Sequence, residues 1–253
     1  MDDKIIDANL KPFFQKLEAT GIPLDEEKLV TLIRKLQRRL AGQKEAVNRE
    51  VGFIVNLDSD DHWQRAIQGA QSGNLLLSQL LEARKLGHLV RRSQQIYDLA
   101  HGNHRVLGRR FGLYPRYGLD PERTIVTTGE LGLDGLPAEV LGVIGCPGSV
   151  IVRATYAEII LDDLRRLSGD PWLAEATPMD LMKLGLINLF EDYRLGNLGA
   201  QLFAVAPCAV YLFAPEDRVD NVSAVCRECL ERVFPDFTLR VDVTTERVLK
   251  KLG

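Results

Sequence analysis

Two short motifs contain the residue types of a metal site. Cys226 and Cys229 form a Cys-x-x-Cys pair, and His101 and His104 form a His-x-x-His pair. Two thiolates and two imidazoles are a ligand set that Zn²⁺ accepts in tetrahedral geometry. The cysteines also fit an amphipathic helix, as small core residues one turn apart, and the histidines fit an exposed connection. We expect this second arrangement and no metal ligands, with zinc as the open alternative.

Adjacent carboxylates at Asp162 and Asp163 are a second candidate for metal chemistry. Neighbouring positions on a helix point about 100° apart, so the two side chains cannot easily bind one ion, and we expect a solvated face. Asp180 is predicted in the first turn of its helix, where the macrodipole favours an acid. Cys208 follows Pro207 on a predicted hairpin turn, and no histidine is near it in sequence. We expect an unreactive thiol there.

A basic segment extends from residue 84 to residue 116. Its eight basic residues are Arg84, Lys85, Arg91, Arg92, Arg105, Arg109, Arg110 and Arg116. With one acid, Asp98, the segment carries +7; the whole chain is −3, so the rest sums to about −10. Its last four arginines are interleaved with Phe111, Tyr114 and Tyr117 in chain predicted to be irregular and exposed, a pattern that suits contacts to phosphates, sugars and bases. The alternative is that these charges are solvated, or pair with acids of this chain or of a partner.

The composition is that of an ordinary globular protein. The chain has 253 residues, of which 45% are hydrophobic and 26% are charged. No apolar run approaches the ~20 residues of a membrane span, and the acidic start does not resemble a secretory signal. Four cysteines, the fourth being Cys146, are too few and too unevenly placed for a disulfide framework. We therefore expect a cytoplasmic protein with no membrane partner and no cofactor.

Periodicity predicts helices first and a sheet afterwards. A short helix ends at Gly21, and Asp25 fits the N-cap of a long second helix. A further helix is predicted from Leu75 to Ala100, and it is followed by glycines, prolines and short apolar runs that indicate strands. The sequence predicts an α+β fold in which a helical part precedes an antiparallel sheet covered by helices.

In this order, the segments resemble the thumb and palm of the DNA polymerase I family (family A polymerases). "PFFQKLEATGIPLDEEKLVTLIRKLQRRL" is similar to the start of the thumb, and "LLEARKLGHLVRRSQQIYDL" to its second long helix. "SVIVRATYAEIILDDLRRLSGDPWL" resembles the first catalytic palm motif, and "QLFAVAPCAVYLFAPED" the hairpin of the second. The resemblance implies a helical thumb-like subdomain at 1–104 and a palm-like α+β subdomain at 105–253.

The chain departs from the family at the residues that carry the chemistry. The two catalytic aspartates of the family correspond to Thr155 and Cys208, and the acid that closes its first motif corresponds to Ile160. Phosphoryl transfer in these enzymes needs two carboxylate-bridged metal ions. A primer-side arginine of the family corresponds to Glu130, which reverses the charge.

The subdomain that grips the incoming nucleotide is also missing from the pattern. "GDPWLAEA" leads almost directly into "TPMDLMKLG", where the family inserts the fingers. The resemblance therefore implies a thumb and a palm without fingers and without metal ligands. We also expect that no exonuclease domain accompanies this part.

Three functional hypotheses follow. The leading one is a catalytically inactive relative that binds duplex or primer–template DNA through the basic segment, as an accessory or scaffolding subunit in replication or repair beside an active factor. The alternative is a protein-interaction module, able to self-associate, with no nucleic-acid role. The third is a working nucleotidyl transferase with relocated ligands, which would require Asp162 and Asp163.

Overall fold

The computed structural model describes residues 3–70, 74–120, 124–128, 136–156, 172, 176–206, 209–233 and 239–249. Its helices are α1 (Asp3–Thr20), α2 (Glu26–Val51), α3 (Asp60–Ala70), α4 (Asn74–Leu107), α5 (Ala138–Leu141), α6 (Pro178–Glu191), α7 (Tyr193–Asn197) and α8 (Val219–Glu231). Its strands are β1 (Ile22–Pro23), β2 (Gly112–Leu113), β3 (Arg116–Leu119), β4 (Ile125–Thr128), β5 (Ser149–Tyr156), β6 (Gln201–Ala206), β7 (Ala209–Pro215) and β8 (Val241–Glu246). The predicted α+β fold is confirmed.

The first two helices begin and end where their capping residues predict. Asp25 is the N-cap of α2, and its Oδ1 accepts a hydrogen bond from the amide of Lys28 at 3.0 Å. Gly52 ends the same helix with a φ of 76°, a left-handed conformation that glycine adopts without strain. Apolar residues at helical spacing bury one stripe of α2, at Leu29, Ile33 and Leu36.

Helix α4 is longer than the sequence predicted. It continues through the His101–His104 segment to Leu107, so Arg105 lies on a helix and not in irregular chain. The helix accommodates Gly102 in its interior, since a single glycine costs a helix only about 1 kcal/mol relative to alanine. The actual end is at Gly108, whose φ is +62°.

Four antiparallel strands form the main sheet, in the order β6-β7-β5-β8. The predicted hairpin is β6 and β7, and β5 lies between β7 and β8. In this register Thr155 is paired with Ala209 on one side and Asp242 on the other. The strand that the resemblance assigned to the first catalytic motif is therefore an inner strand of the sheet, with a neighbour on each side.

Helix α8 packs on β5, β7 and β8 of this sheet, and α6 packs against α8. The hydroxyl of Tyr156 on β5 reaches between them and donates to the carbonyl of Leu230 at 3.0 Å. Burial raises the pKa of this phenol above its ordinary value, so it remains a neutral donor. A Cβ built on Gly185 of α6 would lie 2.6 Å from the same hydroxyl, which leaves room for glycine alone.

The buried apolar residues form two clusters. The large cluster joins the sheet and its helices to α1, to Leu29 and Ile33 of α2, and to Ile96 and Ala100 of α4. The small cluster is built around Trp63 of α3 and includes Leu80 of α4. Part of the helical region therefore shares one core with the palm-like sheet.

A buried lysine links α1 to α6. Lys183 is 1% exposed, and its ammonium lies 3.3 Å from Oδ1 of Asp180 and 3.5 Å from Oδ1 of Asp7. Asp180 also closes a capping box with Thr177, whose side chain accepts from the Asp180 amide. The predicted position of Asp180 in the first turn of its helix is thus confirmed.

An acid–base network fixes the end of α6 against α8. Arg194 donates to both carboxylate oxygens of Asp192 and, at 2.8 Å, to Glu228. The hydrogen bonds from Arg194 lower the pKa of Asp192 to about 2, although burial opposes them. Within the described ranges, no helix combines the length and apolar character that crossing a bilayer requires.

Candidate nucleic-acid interface

Thr155 occupies the position that the resemblance assigned to the first catalytic carboxylate. Its Oγ1 donates to the backbone carbonyl of Asp242, at 3.4 Å, across the β5–β8 ladder. A threonine hydroxyl is a poor substitute for a carboxylate, since it brings no charge to a divalent cation. Ile160 and Cys208, the other two degenerate positions, lie outside the described residues, as do Pro207, Glu130, Asp162 and Asp163.

Arg153 lies on the same face of β5 as Thr155, because side chains two residues apart on a strand point the same way. It is paired with Tyr211 on β7 and Thr244 on β8. Its guanidinium carbon is 5.9 Å from the centroid of the Tyr211 ring, and its Nε is buried without a hydrogen-bond partner. This face of β5 thus carries a cation beside Thr155.

Asp242 is the described carboxylate nearest in the ladder to Thr155. Its side chain is half exposed, and its Oδ1 lies 3.9 Å from Nε of Arg240. The next acid along β8, Glu246, is four residues away, about 13 Å at the rise of a strand. In the part of the chain that the structure describes, no three His, Cys, Asp or Glu side chains are grouped to hold a metal ion.

Sequence reasoning missed both Arg153 and Asp242. The period of two along β5 was enough to place Arg153 beside Thr155, so this residue could have been found. Asp242 could not, because the register between strands 87 residues apart in sequence is set by tertiary packing.

The N-terminal half of the basic segment is partly neutralised. Arg84 lies over the Trp63 ring, 4.6 Å from its centroid, and within 3.8 Å of Asp60. Arg91 forms an ion pair with Asp58. Asp58 precedes α3 and Asp60 begins it. In this half of the segment, Arg84 and Arg91 are therefore paired with acids of the same chain, as the alternative interpretation predicted.

The C-terminal half carries arginines that no described carboxylate neutralises. Arg105, Arg109, Arg110 and Arg116 are all exposed: Arg105 lies in the last turn of α4, Arg109 and Arg110 follow that helix, and Arg116 begins β3. Arg109 lies over Tyr114, 4.7 Å from the ring centroid, and Arg110 donates to Sγ of Cys146 at 3.0 Å. Lys85 and Arg92 also form no described ion pair. The structure brings Arg109 and Arg116 together in the lining of one cleft, and Arg105 and Arg110 are close to Arg109 in the chain.

The histidine and cysteine pairs each have partners of their own. His101 stacks on Tyr97, and Nδ1 of His104 donates to the carbonyl of Arg109 at 2.9 Å. Cys226 is buried in α8, and Cys229 donates its thiol to Asp192 at 3.3 Å.

Both cysteines of this pair remain thiols at neutral pH. Burial raises the pKa of Cys226 to about 12, and burial together with the hydrogen bond to Asp192 does the same for Cys229. The structure supports the core-residue interpretation of the cysteines.

Comparisons with known proteins agree with this architecture. No family model matches the sequence. Over 61 residues the chain is 39% identical to a thermostable DNA polymerase I of Thermus thermophilus, an alignment that covers 24% of this chain and 7% of the relative. Over 74 residues it is 36% identical to the thermostable DNA polymerase I of Thermus filiformis, covering 29% and 9%. The chain thus matches less than a tenth of the length of these relatives.

A solved structure matches most of the chain. It is the POL domain of Pol1 from M. smegmatis, in complex with DNA primer-template and dNTP. The TM-score is 0.67 at 12% identity, and the match covers 95% of this chain and 69% of that chain. At this identity the likeness establishes the fold. Together with the local sequence matches, it supports a relationship to the family A DNA polymerases.

Proposed function

We propose that this chain is a catalytically inactive relative of DNA polymerase I that holds duplex or primer–template DNA as an accessory subunit in replication or repair. The fold is that of a polymerase domain, and the proposal concerns what that fold does here. It rests on the face of β5, where a cation and a hydroxyl stand in place of metal ligands.

Electrostatics at this face oppose two-metal catalysis. Two divalent cations about 4 Å apart need carboxylates to offset their mutual repulsion. Arg153 adds a fixed positive charge two residues from Thr155, and Asp242 is the one described acid in the adjacent ladder position. An arginine cannot relieve the repulsion by losing its proton, because its pKa is too high.

The surface that supports DNA binding is the group of four unneutralised arginines. Arg105, Arg109, Arg110 and Arg116 are all exposed, within twelve residues of chain from the end of α4 to the start of β3. Phosphate groups release counterions when such side chains bind them, so the interaction is favourable at low salt and independent of sequence. The net charge of −3 leaves this group as a local attraction on a chain that otherwise repels DNA.

The test is binding to a fluorescently labelled primer–template at low and high salt, about 50 and 200 mM. We expect salt-sensitive binding, and we expect Arg105→Glu/Arg109→Glu/Arg110→Glu to weaken it about tenfold or more at the lower salt. The slope of log affinity against log salt should also become shallower, by about 1 for each phosphate group that the variant no longer binds.

A matched control reverses three exposed charges elsewhere, with Lys11→Glu/Arg227→Glu/Arg247→Glu. This variant has the same net charge and should retain most of the affinity if the arginine group binds the phosphates. Equal losses of affinity in the two variants would indicate a general charge effect. Absence of binding by the unmodified protein at the lower salt would refute the proposal.

Primer extension with Mg²⁺ or Mn²⁺ tests the other half of the proposal. We expect no extension by the purified chain. Metal-dependent extension that is abolished by Asp162→Asn/Asp163→Asn would establish the working transferase instead.

The second candidate, an interaction module without a nucleic-acid role, is favoured by one observation. Val106 and Leu107 at the end of α4 are 81% and 59% exposed, beside the arginine group. Adjacent apolar side chains of this exposure suit a protein contact. Sedimentation that detects self-association abolished by Val106→Ser/Leu107→Ser, in a protein that does not bind DNA, would select this function.

A further inference from the structure

A cleft of about 590 Å³ opens between α1, the end of α4 and the loop that joins β2 to β3. Its size is within the range of small-ligand sites. The cleft includes two residues of the arginine group, Arg109 and Arg116. None of its described lining residues belongs to β5. Its lining combines cations, amides and apolar side chains.

The charged part of the lining is positive. Arg109 and Arg116 line the cleft, and neither forms an ion pair with a described carboxylate. The one acid in the described lining, Glu18, accepts a hydrogen bond from the amide of Tyr117 at 2.8 Å, and with its charge the lining sums to +1. The two guanidinium groups are therefore available to an anion, and phosphate is the anion that arginine forks bind best.

One wall is an aromatic ring in a fixed position. Tyr114 donates its hydroxyl to the carbonyl of Arg110 at 3.0 Å, and Arg109 lies over the ring. The ring packs so closely on Gly21 that a Cβ there would lie 2.5 Å from it. Gly21 thus serves the turn, with its φ of +65°, and also leaves space for the ring.

The rest of the lining suits a nucleobase. Ala19, Leu99 and Leu113 provide apolar surface, and Gln15 and Asn103 provide amides at the rim. The amide nitrogen of Asn103 donates to the carbonyl of Gly112 at 3.1 Å, which leaves its oxygen as an acceptor. Apolar side chains beside two guanidinium groups fit a flat heterocycle that carries a phosphate.

We infer that this cleft binds one unpaired nucleotide, with its phosphate on Arg109 and Arg116 and its base against the apolar side chains of Leu99 and Leu113. The inference deepens the proposed function and rests on it for the source of the nucleotide, an unpaired residue at the end of a DNA strand. A free nucleotide has the same chemistry, and the experiment separates the two sources.

The test uses three probes with the full chain: thymidine monophosphate, a short oligothymidylate and a blunt duplex. Ala19→Phe fills the cleft from an exposed helical position without changing charge, and Arg116→Gln removes one cation. We expect Ala19→Phe to weaken oligothymidylate binding about tenfold and to change duplex affinity less than about twofold, and we expect Arg116→Gln, which belongs to both the cleft and the arginine group, to weaken binding of both probes. Arg105→Gln, outside the cleft, should weaken duplex binding more than oligothymidylate binding.

The outcomes distinguish this inference from the proposed function. If Ala19→Phe binds oligothymidylate as tightly as the unmodified protein does, the cleft does not bind the nucleotide and the inference is refuted. Duplex binding in the same experiment would still support the proposed function. Monophosphate binding that Ala19→Phe abolishes, without any binding of DNA, supports the cleft as a free-nucleotide site and refutes DNA holding. If the unmodified protein binds none of the three probes, both are refuted.

Discussion

Replacement of Lys183 by methionine is the sharpest test of how the helical part is held to the sheet. The lysine is buried on α6, and its ammonium lies between Asp180 of the same helix and Asp7 of α1. Methionine keeps the length and most of the apolar packing of the side chain and removes the charge. The change therefore isolates the ionic link.

The expected decrease in stability follows from what is left behind. Removal of one partner from a buried ion pair costs about 3–5 kcal/mol, because the other charge is stranded without compensation. Asp7 and Asp180 are 25% and 22% exposed and can recover part of their hydration. We therefore expect Lys183→Met to lower the free energy of unfolding by about 2–3 kcal/mol.

The assay is urea unfolding at neutral pH, followed by tryptophan fluorescence and circular dichroism. Adding Asp7→Asn to Lys183→Met should recover about 1 kcal/mol, since it removes a stranded carboxylate. Lys11→Met, at an exposed position of α1, is the control and should change stability by less than about 0.5 kcal/mol. If Lys183→Met is as mild as this control, or if Asp7→Asn lowers the stability of Lys183→Met further, the reasoning is wrong.

Three further predictions concern the sheet and its helices. The pKa of Asp192 is lowered from an ordinary value of 3.8 to about 2 by the hydrogen bonds from Arg194. This contact therefore stabilises the folded protein above about pH 4, and its contribution is lost as the pH falls through about 2. Asp192→Asn should cost about 1–2 kcal/mol in urea unfolding at about pH 7 and almost nothing near pH 2; an equal cost at both would contradict the linkage. Cys226 should react with iodoacetamide at about pH 8 at least about tenfold more slowly than the more exposed Cys146, by peptide mass spectrometry, and equal labelling would contradict its burial. Gly185→Ala should destabilise by about 1–3 kcal/mol through its clash with the tyrosine hydroxyl, whereas Gly102→Ala, which meets nothing within 4 Å, should be neutral or stabilising; similar effects would contradict the packing.

Local signals in the sequence were sufficient for much of the fold. Asp25 predicted the start of α2 because its carboxylate caps the helix within four residues, and Asp180 was predicted in the first turn of its helix, where it is found. The β6–β7 hairpin followed from two apolar runs on either side of a proline. Each of these features depends on residues close together in the chain, where pattern and physics coincide.

What the sequence did not indicate depends on contacts across the chain. The burial of Lys183 required α1 to bring Asp7 against α6, 176 residues away. Pairing of Arg91 with Asp58 turned part of the predicted interface into an internal contact. The cleft is lined by α1, α4 and a loop, and no short sequence motif specifies how these three segments pack together. Its arginines were nevertheless among those the charge pattern selected.

Helix α4 belongs to two cores at once. Leu80 near its beginning lies in the small cluster, and Ile96 and Ala100 near its end lie in the large one. The 34 residues span about 51 Å, so one helix should show a gradient of amide exchange, slow where the large cluster holds it and faster toward Leu80. The arginine group and the cleft are at the slowly exchanging end. The small cluster can therefore open in local fluctuations while the surface proposed to meet DNA stays formed.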